Sequence, residues 1–128
     1  MATILVVDDD AVSRLLLATI LEHRGHAVFE CADGGGAIAA LDDCGADLVI
    51  VDMQMPRVDG LEVIKRLRGD RRHDRTAVLL HTATPEDKAL RNVADAYGIR
   101  GILAKPSEPD AVIGAVEAAL NALSDPSV

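Results

Sequence analysis

What most constrains this chain is a repeated alternation along its length. Short apolar runs, TILVV (3–7), AVFECA (27–32), DLVIV (47–51), AVLLHT (77–82) and GILA (101–104), are separated by stretches of helical spacing. Several of the runs lack the every-other-residue polarity of a half-solvated strand, which marks parallel strands covered on both faces. The order βαβαβαβαβα, with right-handed crossovers, predicts an α/β fold: a doubly wound five-stranded parallel sheet with helices on both sides. A chain of 128 residues suits one such domain.

The helices carry their own punctuation. In AVSRLLLATILEHRG, Val12, Leu15, Leu16 and Ile20 form one apolar stripe and Gly25 is a stop signal. GGAIAALDDCG is a shorter helix after Asp33. DGLEVIKRLRG opens with Asp59 as N-cap and Glu62 three residues on, a capping box. TPEDKALRNVADAYG reads with Thr84 as N-cap, Pro85 first in the helix and Asp87 three after the cap. SEPDAVIGAVEAALNAL repeats the device with Ser107 and Asp110. No linker or internal repeat precedes SDPSV, so the domain is expected at 1–123 and a tail or the start of a linker at 124–128.

Composition narrows the function. Aromatic residues are 2% of the chain, with no Trp, so the core is built from Val, Ile, Leu and Ala and lacks stacking platforms for bases. A net charge of −8 repels a phosphate backbone, which argues against direct nucleic-acid binding. Six of the thirteen basic residues fall in KRLRGDRRHDR (65–75), read as a solvated helix end and loop, with docking of an acidic partner as the second reading. Cys31 and Cys44 are too few for a disulfide framework. There is no apolar run of membrane-spanning length, and MATILVVDDD lacks the basic start of a signal peptide. The expectation is a soluble cytoplasmic protein with no membrane contact.

In an open α/β sheet, ligands bind beyond the carboxyl ends of the strands. There the sequence places Asp8, Asp9 and Asp10 after the first strand, Asp52 after the third, Thr82 after the fourth and Lys105 after the fifth. Crowded carboxylates without a counter-charge raise one another's pKa. A hard divalent cation such as Mg²⁺ resolves the conflict, after which one carboxylate can attack a phosphoryl group. A lysine and a hydroxyl supply the charge neutralisation and positioning that phosphoryl transfer needs. Asp10 and Asp59 read better as a turn former and a cap.

ILVVDDDAVSR, LVIVDMQMPRVDG, HTA and AKP, in that order and each at the end of a strand, resemble the signature blocks of the two-component response-regulator receiver domain, from Thr3 to about Leu123. The resemblance implies a flavodoxin-like sheet of strand order 2-1-3-4-5. It implies Asp52 as phosphoacceptor, and Asp8, Asp9, Asp52 and the backbone carbonyl of Gln54 as Mg²⁺ ligands. Thr82 matches the switch hydroxyl and Lys105 the site lysine, and Lys105–Pro106 is a candidate cis peptide. Pro56 and Gly60 would shape the loop after Asp52. Ile102 stands where the family often carries an inward-swinging Tyr or Phe, and Tyr97 is too far along the fourth helix to replace it. Gln54 and Thr84 occupy the two variable positions that influence acyl-phosphate lifetime in relatives.

The implied function is a regulatory domain, not an enzyme on outside substrates. It takes a phosphoryl group from a sensor histidine kinase or histidine phosphotransfer protein and switches a surface around the fourth helix, fifth strand and fifth helix. That surface would bind a downstream protein or fused output domain. Three other readings compete. A degenerate receiver would only bind protein. An aspartyl-nucleophile phosphatase usually places a second acid two residues on, where this chain has Gln54. A flavin protein needs a hydroxyl- and glycine-rich phosphate loop where three acids stand.

Overall fold

The computed structural model describes residues 1–55 and 58–124, with side chains through Asn121. Pro56, expected to shape the loop after Asp52, and positions 125–128 of the expected tail lie outside the described residues. Five strands form one sheet: β1 (Thr3–Val7), β2 (Ala27–Cys31), β3 (Leu48–Asp52), β4 (Ala77–Thr82) and β5 (Gly101–Ala104). They alternate with α1 (Ala11–His23), α2 (Ala37–Cys44), α3 (Gly60–Arg68), α4 (Lys88–Ala96) and α5 (Pro109–Ser124). All four pairings are parallel and the order is β2-β1-β3-β4-β5, the flavodoxin-like doubly wound arrangement.

The period of two along each strand divides the core in two. Ile4, Val6, Leu48, Ile50, Ala77, Leu79 and Leu103 pack with Leu17 and Leu21 of α1 and with Val112 and Val116 of α5. Leu5, Val7, Val49, Val51, Val78 and Leu80 face the other way, onto Leu41 of α2, Ile64 and Leu67 of α3 and Leu90 of α4. Every residue of β3 and β4 is buried, as two-sided cover requires. Each buried aliphatic side chain contributes about 1.5–3 kcal/mol.

Four helix expectations need correction. Leu17, Ala18 and Leu21 are the buried residues of α1, while Val12 and Leu15 are 74% and 64% exposed and Leu16 is also exposed. The run of three leucines offers two faces, and the sheet takes the second. The α4 helix starts one turn later than expected, with Asp87 as N-cap accepting from the Ala89 amide at 2.8 Å. Thr84 instead opens the preceding turn, its carbonyl accepting from the Asp87 amide. The α5 helix begins at Pro109, so Ser107 lies two residues ahead of it and does not cap it. Asp59 does cap α3 through the Glu62 amide, at 3.1 Å, but Glu62 turns its carboxylate to Arg66 and not back to the cap.

Candidate functional site

The rows that face α1 and α5 all run into polar residues at the carboxyl edge. Counting by twos, Ile4 and Val6 lead to Asp8, Leu48 and Ile50 to Asp52, Ala77 and Leu79 to His81, and Leu103 to Lys105. Register completes the assembly, since Asp52 pairs with His81 and His81 with Leu103. Four strands therefore deliver two carboxylates, an imidazole and an ammonium to one pocket. Thr82 ends the opposite row, after Val78 and Leu80.

The Lys105 ammonium sits 3.3 Å from Asp8 Oδ2 and 3.3 Å from Asp52 Oδ1. Asp8 and Asp52 are both almost fully buried, whereas Asp9 is exposed. One carboxylate oxygen from each of Asp8, Asp9 and Asp52 falls in a cluster no wider than 4.8 Å. The Gln54 amide donates to Asp52 Oδ1 at 3.0 Å and the Asp10 amide to Asp8 Oδ1 at 2.9 Å. Asp10 then caps α1 through the Val12 amide. Gly60 is required beside the site, because a Cβ there would lie 2.6 Å from the Asp52 carbonyl oxygen. The Thr82 hydroxyl accepts from the Thr84 amide at 3.1 Å. The Lys105–Pro106 peptide is cis.

Burial and charge pull the acids apart. Burial opposes ionisation of Asp8, but His81, the Asp10 amide and Lys105 overcome it and bring its carboxyl down to about 2. Burial pushes Asp52 up, and the Asp8 charge adds to that against the Gln54 amide and Lys105. Burial also works against the Lys105 charge, yet Asp52 and Asp8 hold its pKa above the ordinary value. Asp8 is thus the fixed anion of the pocket and Asp52 the one under electrostatic stress. Asp8 Oδ2 has no hydrogen-bond partner although it is buried. A cluster of hard oxygen donors with one buried oxygen unsatisfied fits a divalent cation.

Known proteins bear on this arrangement. The response regulator receiver domain family matches residues 4–117. The chain is a receiver domain. It is 36% identical over 124 residues to the transcriptional regulatory protein ResD of Bacillus subtilis, covering 97% of this chain and 50% of that protein. It is 32% identical to a probable chemotaxis protein CheY of Rhizobium etli, covering 94% of this chain and 93% of that one. Among solved structures, the chemotaxis protein CheY4 of Vibrio cholerae superposes with a TM-score of 0.87 at 28% identity, over 93% of this chain and 98% of that one. The receiver spans half or less of the length of several curated relatives and nearly all of others.

Sequence reading missed three residues of the receiver's pocket. His81 is buried, with Nε2 2.6 Å from Ser107 Oγ and Nδ1 3.8 Å from Asp8 Oδ2. Parity would have found it, because His81 stands two residues past Leu79 in a row that ends at the pocket. Ser107 is its partner, which is why that hydroxyl does not cap α5. Arg14 donates from Nη1 to the Asp8 carbonyl at 2.6 Å and pairs with Glu30 at 3.2 Å, fixing the backbone under the acids. No local spacing announces Arg14. Ile102 is half-buried and lines a shallow groove of about 450 Å³ with Pro85, Arg91 and Ala94.

Proposed function

We propose that this receiver accepts a phosphoryl group on Asp52 from a phosphohistidine donor and uses the modified site to bias a partner-binding surface. The observation that carries the reading is the half-buried Lys105 ammonium held 3.3 Å from both Asp8 and Asp52. Both bonds described for Asp52 go to Oδ1, which leaves Oδ2 to attack phosphorus. The P–O bond to Asp52 forms as the donor's N–P bond breaks, and the departing imidazole nitrogen keeps the electron pair of the broken bond. A Mg²⁺ ion on Asp8, Asp9, Asp52 and the Gln54 carbonyl, when bound, screens the carboxylates and takes up charge from the phosphoryl oxygens.

Lys105 then turns from the two carboxylates to the phosphoryl oxygens, and the Thr82 hydroxyl donates its proton to one of them. With Ile102 in place of an aromatic ring, the change reaches α4, β5 and α5 through the Thr82 turn and the Lys105 segment. The exposed Val12, Leu15 and Leu16 of α1, which starts directly after Asp10 at the pocket rim, give an incoming phosphodonor an apolar footing. The domain is assigned to residues 1–123, its donor to a sensor kinase or phosphotransfer protein in the cytoplasm, and its output to a downstream or fused domain. No helix among the described residues is long and apolar enough to cross a membrane.

The test is intact-mass measurement after exposure to acetyl phosphate with Mg²⁺. One added phosphoryl group is expected, lost in Asp52→Ala and on adding a chelator. No gain with any donor, or a gain that survives Asp52→Ala, overturns the reading.

A further inference from the structure

The chemistry proposed for Asp52 leaves His81 and its partner Ser107 unused, yet His81 is among the pocket's most enclosed polar groups. The His81 side chain is 2% exposed, its Nε2 is 2.6 Å from Ser107 Oγ, and its Nδ1 faces Asp8 Oδ2 at 3.8 Å. Both Nδ1 and Oδ2 are buried without a hydrogen-bond partner. If the ring's proton were on Nε2 alone, a nitrogen lone pair would face a carboxylate oxygen inside the protein. Two buried acceptors would then oppose each other, with only the Lys105 ammonium on the same oxygen to offset the cost. With a proton on Nδ1, an N–H faces the carboxylate, and Ser107 can donate its hydroxyl to Nε2.

We infer that His81 carries a proton on Nδ1 and is a positioning residue that holds Asp8 when Lys105 leaves it for the phosphoryl group. Lys105 and His81 share one oxygen, Asp8 Oδ2. Once the ammonium swings away, Asp8 would be a buried anion with one neighbour fewer, and the imidazole N–H is placed to close on it. The other end of the ring is tied to Ser107, two residues after Lys105 and two before α5 begins. Movement of Lys105 and the start of α5 are thus coupled through His81 as well as through the chain. This role rests on the receiver reading of Asp52 and Lys105.

The proton's position is read on the unmodified full chain, labelled with ¹⁵N at histidine, from long-range ¹H–¹⁵N correlations. The His81 signals are assigned by their loss in His81→Asn. A protonated Nδ1 is expected, and it persists in Ser107→Ala because Asp8 sets it. An unprotonated Nδ1 in the native protein overturns the inference. The positioning role is read from the initial rate of mass gain with acetyl phosphate and Mg²⁺. His81→Leu slows it by about tenfold, the equivalent of one hydrogen bond to a charged group. His81→Asn, whose amide replaces Nδ1, restores most of the rate, while His81→Gln, whose amide reaches the Nε2 position, does not. Rescue by Gln and not by Asn, or an unslowed His81→Leu, overturns the role. Ser107→Ala, a surface-proximal change that spares the core, speeds amide exchange in the first turn of α5, and unchanged exchange there also counts against the coupling. A native protein that gains no mass rejects the receiver reading, and the spectrum still decides the proton's position independently.

Discussion

The two ends of the sheet hold similar charged residues and treat them in opposite ways. At the amino end, Asp42, Asp70, Arg72 and His73 form a paired network. His73 Nε2 is 2.8 Å from Asp42, and Arg72 is 2.6 Å from Asp70 and 3.3 Å from Asp42. Beside it, the half-buried Arg68 donates to the carbonyls of Tyr97, His73 and Thr76 at 2.8–3.1 Å. At the carboxyl end, one ammonium is divided between two buried carboxylates, and Asp8 Oδ2 has that ion pair but no hydrogen bond. The first region is satisfied and has nothing to exchange. The second keeps its charges incompletely paired, so a cation or a phosphoryl group finds interactions to make.

The comparison is most exposed at Arg68. Arg68→Leu removes three hydrogen bonds to carbonyls, of which that of His73 keeps a second donor in the Thr76 amide, and is expected to cost about 3 kcal/mol in urea denaturation. It is expected to leave phosphoryl uptake by the folded protein unchanged. A strong loss of uptake in the folded variant would mean the two ends are not separable. In the sequence Arg68 belongs to a basic run with the look of a solvated helix end, and in the structure it is a clamp on three carbonyls.

Lys105→Met attacks the other end. Without the ammonium, Asp8 and Asp52 face each other buried, and a loss of about 2 kcal/mol is expected in chelator at neutral pH. The figure is below that for a fully enclosed pair because the lysine side chain is 24% exposed. A second change, Asp52→Asn, is expected to recover most of it. If Lys105→Met is as stable as the native chain, the pocket is not electrostatically stressed.

Asp52→Asn alone reverses the usual sign of a core substitution. Burial and the Asp8 charge raise the folded pKa of Asp52 above its ordinary 3.8, so its ionised form destabilises the native state. Above the raised pKa the variant is expected to be more stable by about 1 kcal/mol in chelator. That advantage shrinks as pH falls through the raised pKa and is gone below about 4, where the carboxyl is protonated in both states. Asp8 behaves oppositely: its carboxyl, lowered from 3.8 to about 2, adds stability above pH 4 that is lost as pH falls toward 2. Paired urea titrations across pH 3–8 check both signs, and an Asp52→Asn that is less stable at neutral pH refutes the assignment.

The fold was legible because its signals are local: five apolar runs of strand length and helix caps such as Asp59 that name their own position. The acids, Thr82 and Lys105 were legible because each directly follows or ends a run. What escaped depended on choices between near-equal local options. Leu15, Leu16 and Leu17 suit either face of α1, and only packing on β1 and β2 selects Leu17. Thr84 and Asp87 are both competent caps, but the Thr84 amide is committed to Thr82 and its carbonyl to the Asp87 amide, so the helix starts at the second. Ser107 resembles a cap until His81 is seen to hold its hydroxyl. Pairs such as His73 with Asp42, 31 residues apart, have no local spacing to betray them.

The smallest expected effect is at Arg72, and it sets the baseline for the comparison. Its side chain is 65% exposed, and water and salt screen its contacts with Asp70 and Asp42. Asp70 is held down to about 2 by that arginine, but with both groups in solvent the attraction largely replaces hydration that the free ions already had. His73 keeps its 2.8 Å contact with Asp42 when the arginine is gone. Arg72→Ala is therefore expected to leave the urea midpoint unchanged within measurement scatter, at low and high salt alike. A loss as large as that of Lys105→Met would show that exposed pairing and buried division of charge are worth the same here, and the contrast between the two ends would fail.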